Sequence, residues 1–83
     1  MSPLLPDLHV RVAARQIMEK VAATGEPRAV FLKNGKLMDY PAGGAKAMSY
    51  LSRDGQGVIA VGVYDHDATL EQILEDVGTL HWA

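Results

Sequence analysis

Apolar and polar side chains alternate strictly along Leu8-His9-Val10-Arg11-Val12, the period of a half-buried strand. A helix capped by Asp7 competes for the same residues. It would set Val10, Ala14, Ile17 and Val21 on one face, with Leu8 and Val12 on the opposite one. A strand over residues 8–12 accounts for all three apolar residues at once and is the expected element. A helix over 13–23 then buries Ala14, Ile17, Met18 and Val21. Gly25 suits the left-handed position that closes a helix, and Pro27 forbids its continuation.

Residues 28–39 carry the sharpest local signal. Ala29-Val30-Phe31-Leu32 and Leu37-Met38 flank Lys33-Asn34-Gly35-Lys36, and Asn-Gly is the favoured centre of a two-residue type I′ hairpin turn. Pairing across that turn sets Leu32 opposite Leu37, Phe31 opposite Met38, and Lys33 opposite Lys36. The last of these is a mildly unfavourable like-charge pair. Pro41-Ala42-Gly43-Gly44 reads as a loop before a short helix over 45–52 that buries Ala45, Met48 and Leu51.

After the turn residues 53–57, Val58-Ile59-Ala60-Val61-Gly62-Val63-Tyr64 is a strand apolar on both faces, hence central or covered twice. Thr69 and Gln72 form a capping box. The helix it opens has the cleanest period in the chain, Leu70, Ile73, Leu74 and Val77, and Gly78 is expected to end it. The element order is therefore β-α-β-β-α-β-α: an α+β, ferredoxin-like β-α-β-β-α-β core with an added C-terminal amphipathic helix. In that fold the fourth strand lies at a sheet edge, yet here it is the most apolar strand. Either the strand order differs or a second chain covers the edge, which makes a homodimer the expected assembly.

Composition narrows the class of protein. Eighty-three residues form one domain, residues 1–83, near the lower size for a self-sufficient core. An apolar share of 48% argues against disorder, and the absence of Cys excludes disulfides and thiolate zinc sites. The first residues lack the basic region of a signal peptide, and the apolar run through Tyr64 is far shorter than a bilayer span. A soluble, cytoplasmic protein with no membrane association is the expectation.

Charge changes the picture more. All eight Lys and Arg lie between Arg11 and Arg53, against four acids in residues 1–53, a balance of +4. Residues 54–83 hold Asp54, Asp65, Asp67, Glu71, Glu75 and Asp76 against no base, a balance of −6. Separated charge gives a small protein a polarity that a partner can read. In the last helix Glu71 and Glu75 repel at i, i+4, and Glu75 and Asp76 occupy what the Gly78 stop makes the last turn, where the dipole disfavours anions. A positive surface nearby would offset both terms. Trp82, next to the C-terminus, is a candidate contact anchor or, equally, a cap on the protein's own core.

Other constellations carry less. Asp65-His66-Asp67 offers an imidazole and two carboxylates, but adjacent residues seldom converge on one ion; a turn in which Asp67 caps the following helix is the plainer reading. Gly43-Gly44-Ala45-Lys46 has an anion-binding flavour without the spacing of a phosphate loop. No nucleophile setting is visible around Ser2, Ser49 or Ser52, and His9, His66 and His81 are scattered. No catalytic residue, metal site or cofactor is expected.

Ala14-Arg15 with its helix, Gly25-Glu26, the strand 29–32 and Asn34-Gly35-Lys36 together resemble the prevent-host-death type of bacterial antitoxin. That resemblance implies a dimerising, operator-binding first half and a toxin-binding segment after it. The same run, with Asp67-Ala68-Thr69-Leu70-Glu71, is also similar to half of a CBS nucleotide-binding pair. Two functional expectations result. The first is a non-enzymatic interaction module, an inhibitor, adaptor or regulatory subunit, that docks a basic partner through Glu71, Glu75, Asp76 and Trp82. The alternative is an antitoxin-like DNA-binding regulator using the basic half.

Overall fold

The computed structural model describes the backbone of residues 8–82 and the side chains of residues 8–79. Its elements are α1 (Leu8–Thr24), β1 (Arg28–Lys33), β2 (Lys36–Pro41), α2 (Ala45–Leu51), β3 (Val58–Tyr64) and α3 (Leu70–Trp82). The fold is α+β, with three helices and one antiparallel three-stranded sheet in the order β2-β1-β3. The expected ferredoxin-like order is not matched, because the first expected strand is the opening of α1.

The reason lies in the length of the competing patterns. Five alternating residues fit a strand, but Val10, Ala14, Ile17 and Val21 keep helical spacing over three turns, and all four are buried. Leu8 and Val12 point away from that face and stay exposed, at 74% and 48%. Gly25, at φ +73°, ends the helix and donates its N–H to the Val21 carbonyl at 2.8 Å.

The hairpin forms with the expected register, Leu32 to Leu37, Phe31 to Met38 and Lys33 to Lys36. Asn34 and Gly35 both take the positive φ that a type I′ turn requires, 52° and 78°. On its other side β1 pairs with β3, and Val61 is the extra residue of a β-bulge: Phe31 faces Ala60 while Val30 faces Gly62. The bulge lets one strand serve two cores. Val30, Val61 and Tyr64 join Val10, Ala14, Ile17, Ile73 and Val77 beneath α1 and α3. Ala29, Phe31, Val58 and Ala60 join Ala47 and Tyr50 beneath α2, with Tyr40 completing an aromatic trio.

Two further expectations are corrected. α2 buries Ala47 and Tyr50 rather than Ala45, Met48 and Leu51, and Met48 and Leu51 are 62% and 48% exposed. Its seven residues are too short for apolar spacing to decide a face, and the Tyr50 ring, 5.4 Å from Phe31, wins the interior. Gly78 does not stop α3, which runs on to Trp82. It is not among the positive-φ glycines, and Thr79 bonds back to the Glu75 carbonyl at 3.0 Å. β3, the most apolar strand, lies at a sheet edge, and helices cover part of each face, leaving Ile59 and Val63 exposed.

Charge ties β1 to β2 and the hairpin to α1. Asp39 accepts from Arg28 Nε at 2.9 Å and from Lys20 Nζ at 3.2 Å, with Arg28 and Asp39 side chains only 13% and 12% exposed. Thermal melting followed by circular dichroism separates the two faces of α1. Ile17→Ala is expected to cost about 2–5 kcal/mol, as cavity formation does. Val12→Ala should stay within about 0.5 kcal/mol. Equal losses would contradict the helical assignment of residues 8–12.

Candidate functional site

Residues 65–69 link the end of β3 to α3 as a tight turn. The Ala68 N–H donates to the Asp65 carbonyl at 2.9 Å. Asp65 Oδ1 accepts the His66 N–H at 2.7 Å, and that bond, with the adjacent imidazole, holds its carboxyl below the usual carboxylate range. The capping box forms in both directions: Thr69 N–H donates to Gln72 Oε1 at 2.9 Å, and Gln72 N–H donates to Thr69 Oγ1 at 3.2 Å. Thr69 therefore caps α3, and the role considered for Asp67 is not needed.

Tyr64 fixes the spacing between β3 and α3. Its hydroxyl donates to Asp76 Oδ2 at 2.5 Å while its ring is buried. A Cβ on Gly62 would lie 3.1 Å from that hydroxyl, so a glycine two residues back leaves the ring room to lie against the strand. Burial first, then the hydrogen bond and charge of Asp76, push the Tyr64 phenol well above its ordinary value of 10.0.

Between these elements lies an open groove of about 410 Å³. Val63 and Tyr64 form one wall, Asp65, Asp67 and Ala68 its end, and Gln72, Glu75 and Asp76 the other wall. Four carboxylates thus line it, and no cationic side chain does. The tertiary structure brings Glu75 and Asp76 together with Asp65 and Asp67, which the sequence analysis had treated separately. Glu71 is not among the lining residues; it lies in the first turn of α3, where the helix dipole favours a carboxylate. Trp82 ends α3, and its side chain is outside the described ones.

Because α3 continues to Trp82, Glu75 and Asp76 sit at mid-helix, and the penalty expected of carboxylates in a last turn does not apply. Their location in a concave, one-signed surface distinguishes them instead. The signal available beforehand was the pairing of Tyr64 with a helix that starts six residues later and must pack back over its own strand.

The remaining candidates do not assemble. The His66 side chain is 81% exposed, and among the described residues no group of three or more His, Asp or Glu could hold a metal ion. Gly44 opens α2 with no side-chain cap. Lys33 and Lys36 stand side by side at the hairpin tip, at the end of the sheet opposite Tyr64, while Lys20 and Arg28 are engaged by Asp39. Among the described residues no helix is long and apolar enough to cross a membrane.

Comparison with protein-family models, curated proteins and solved structures finds no match for this chain.

The Tyr64 phenol gives a pH test. A group whose pKa is higher in the folded than in the unfolded chain contributes stability that is complete below the unfolded value and is lost as pH rises above it. Stability should therefore fall on titration above pH 10, the ordinary tyrosine value. In Tyr64→Phe that alkaline decline should be shallower, measured by urea unfolding against pH. An unchanged decline would show that the phenol is not the group responsible.

Proposed function

We propose that this protein is a non-enzymatic interaction module, an inhibitor, adaptor or regulatory subunit, that docks a positively charged partner on α3 and the groove beside it. The observation that carries this reading is the groove itself. Four carboxylates converge on one concave surface with no cation among the residues lining it. Holding like charges together is unfavourable, and a cationic partner turns that self-repulsion into attraction. The clustering is also one-sided along the molecule, since the two tip lysines lie at the far end of the sheet.

Asp76 has a second task. Its Oδ2 accepts the Tyr64 hydroxyl, which leaves Asp65, Asp67 and Glu75 as the carboxylates without a structural duty to α3. Asp76→Asn keeps an acceptor oxygen for Tyr64, so neutralisation need not undo the fold.

A second reading is an antitoxin-like DNA-binding regulator using the basic half. It draws on the adjacent Lys33 and Lys36, which a dimer would present as paired phosphate contacts. Retardation of duplex DNA that weakens steeply with salt would support it, and no retardation at low salt would end it.

For the docking reading, the native chain and its Glu71→Gln/Glu75→Gln/Asp76→Asn form are used in parallel to capture partners from lysate of the source cell. A stoichiometric protein retained by the native chain, released by salt and absent from the neutralised form is the expected outcome. Equal retention by both forms sinks the proposal.

A further inference from the structure

β3 is bonded to β1 along one side, and its other side is the margin of the sheet. The first half of that margin is sealed from within. Gly55 N–H donates to the Val58 carbonyl at 2.9 Å, and Ala60 N–H donates to Asp54 Oδ1 at 3.1 Å. Neither partner belongs to β1, so these groups of Val58 and Ala60 face outward and the turn 53–57 folds back over them. Beyond Ala60 the seal stops. Among the described residues, no element other than β1 bonds to residues 61–64 as a strand neighbour.

An uncovered strand edge offers main-chain donors and acceptors to any extended chain, and proteins ordinarily blunt it with charge, Pro or a bulge. Residues 61–64 contain neither charge nor Pro; the Val61 bulge lies at their start, and beyond it Val63 is 63% exposed. The carboxylates lie beside the edge instead of on it, since Val63 and Tyr64 form one wall of the acidic groove. That placement decides the occupant. Two copies meeting edge to edge would bring their acidic grooves together, and like charges opposed across an interface are penalised. A segment carrying Lys or Arg meets both features at once.

We infer that the open half of the β3 edge, residues 61–64, is a strand-addition site for an extended, positively charged segment of a partner protein. The inference rests on the docking reading above and supplies its mode. The partner's main chain extends the sheet beyond β3. Side chains on alternate positions then divide, one set reaching the groove carboxylates and the other passing Val63, as strand addition requires. The sealed half sets the limit, so the pairing covers about four residues and no more.

The test uses an end-blocked hexapeptide alternating Lys and Val, titrated into the ¹⁵N-labelled full chain and followed by amide shifts. Its Glu-for-Lys counterpart and a version N-methylated on alternate amides serve as comparisons. N-methylation keeps the charge but removes the donors of one edge. Shifts centred on residues 61–64 and α3 are expected for the Lys peptide, with no binding of the Glu peptide. Affinity should fall roughly tenfold on N-methylation, as expected for the loss of the two or so main-chain hydrogen bonds that a four-residue pairing draws from the peptide's N–H groups. Val63→Lys, at an exposed site that tolerates charge, should weaken the Lys peptide as well.

Equal affinity of the methylated and parent peptides would overturn strand addition and leave the docking reading standing. So would failure of the Lys peptide where lysate capture still depends on Glu71, Glu75 and Asp76. Failure of both the peptide and the capture would overturn both readings. Sedimentation of the free chain as a dimer, with the amides of residues 61–64 protected from exchange, would assign the edge to a second copy and overturn the inference.

Discussion

Everything in this fold hangs on β1, four of whose six residues are buried in succession. Ala29, Val30, Phe31 and Leu32 are each 6% exposed or less, and alternation sends them to opposite sides of the sheet. Val30 anchors the core under α1 and α3, and Ala29 and Phe31 anchor the one under α2. Full burial of each larger side chain contributes about 1.5–3 kcal/mol. In a chain this near the lower size for independent folding, one strand with a helix layer on both sides does the work of two. β2 and β3 are placed by their pairing to it, and the helices by the side chains that strand presents.

The same strand organises charge. The Asn34-Gly35 turn returns β2 in a register that puts Asp39 opposite Val30, on the α1 side of the sheet. There it meets Lys20 and Arg28, so one cation holds α1 to the hairpin and another holds β1 to β2. Lys33 and Lys36 are left at the tip, and the acidic turn follows Tyr64 at the other end of the sheet. The sheet thereby carries the two tip lysines at one end and the acidic turn at the other.

The edge strand shows how local chemistry divides one element into two. Val61, bulged out of the β1 ladder, switches β3 from the α2 core to the α1 and α3 core within two residues. Bulges bend a strand and loosen its pairing locally. On one side of this one, Asp54 and Gly55 cover the outer edge; on the other, Tyr64 reaches across to Asp76 and opens the groove. The sealed half protects the sheet from indiscriminate pairing, while the open half has the Val61 bulge at its start and negative charge beside it.

By itself the sequence determined what depends on neighbours in the chain. The Asn-Gly hairpin with its full register, the Thr69-Gln72 capping box, the Gly25 stop and the α3 face of Ile73 and Val77 were all legible. These need a few adjacent residues and a fixed backbone geometry, so local chemistry is enough. Tertiary structure decided the rest. Whether residues 8–12 were strand or helix depended on a buried face continuing to Val21, and the face of α2 depended on where Phe31 lay. Gly78 could stay helical because α3 continues through it to Trp82, a weak local stop overruled by the longer element. Glu75 and Asp76 stand on the helix that was expected to carry them, but their company with Asp65 and Asp67 was not legible. Convergence of those carboxylates follows from α3 folding back over β3 and from Tyr64 reaching Asp76, a distance in space that no spacing along the chain encodes.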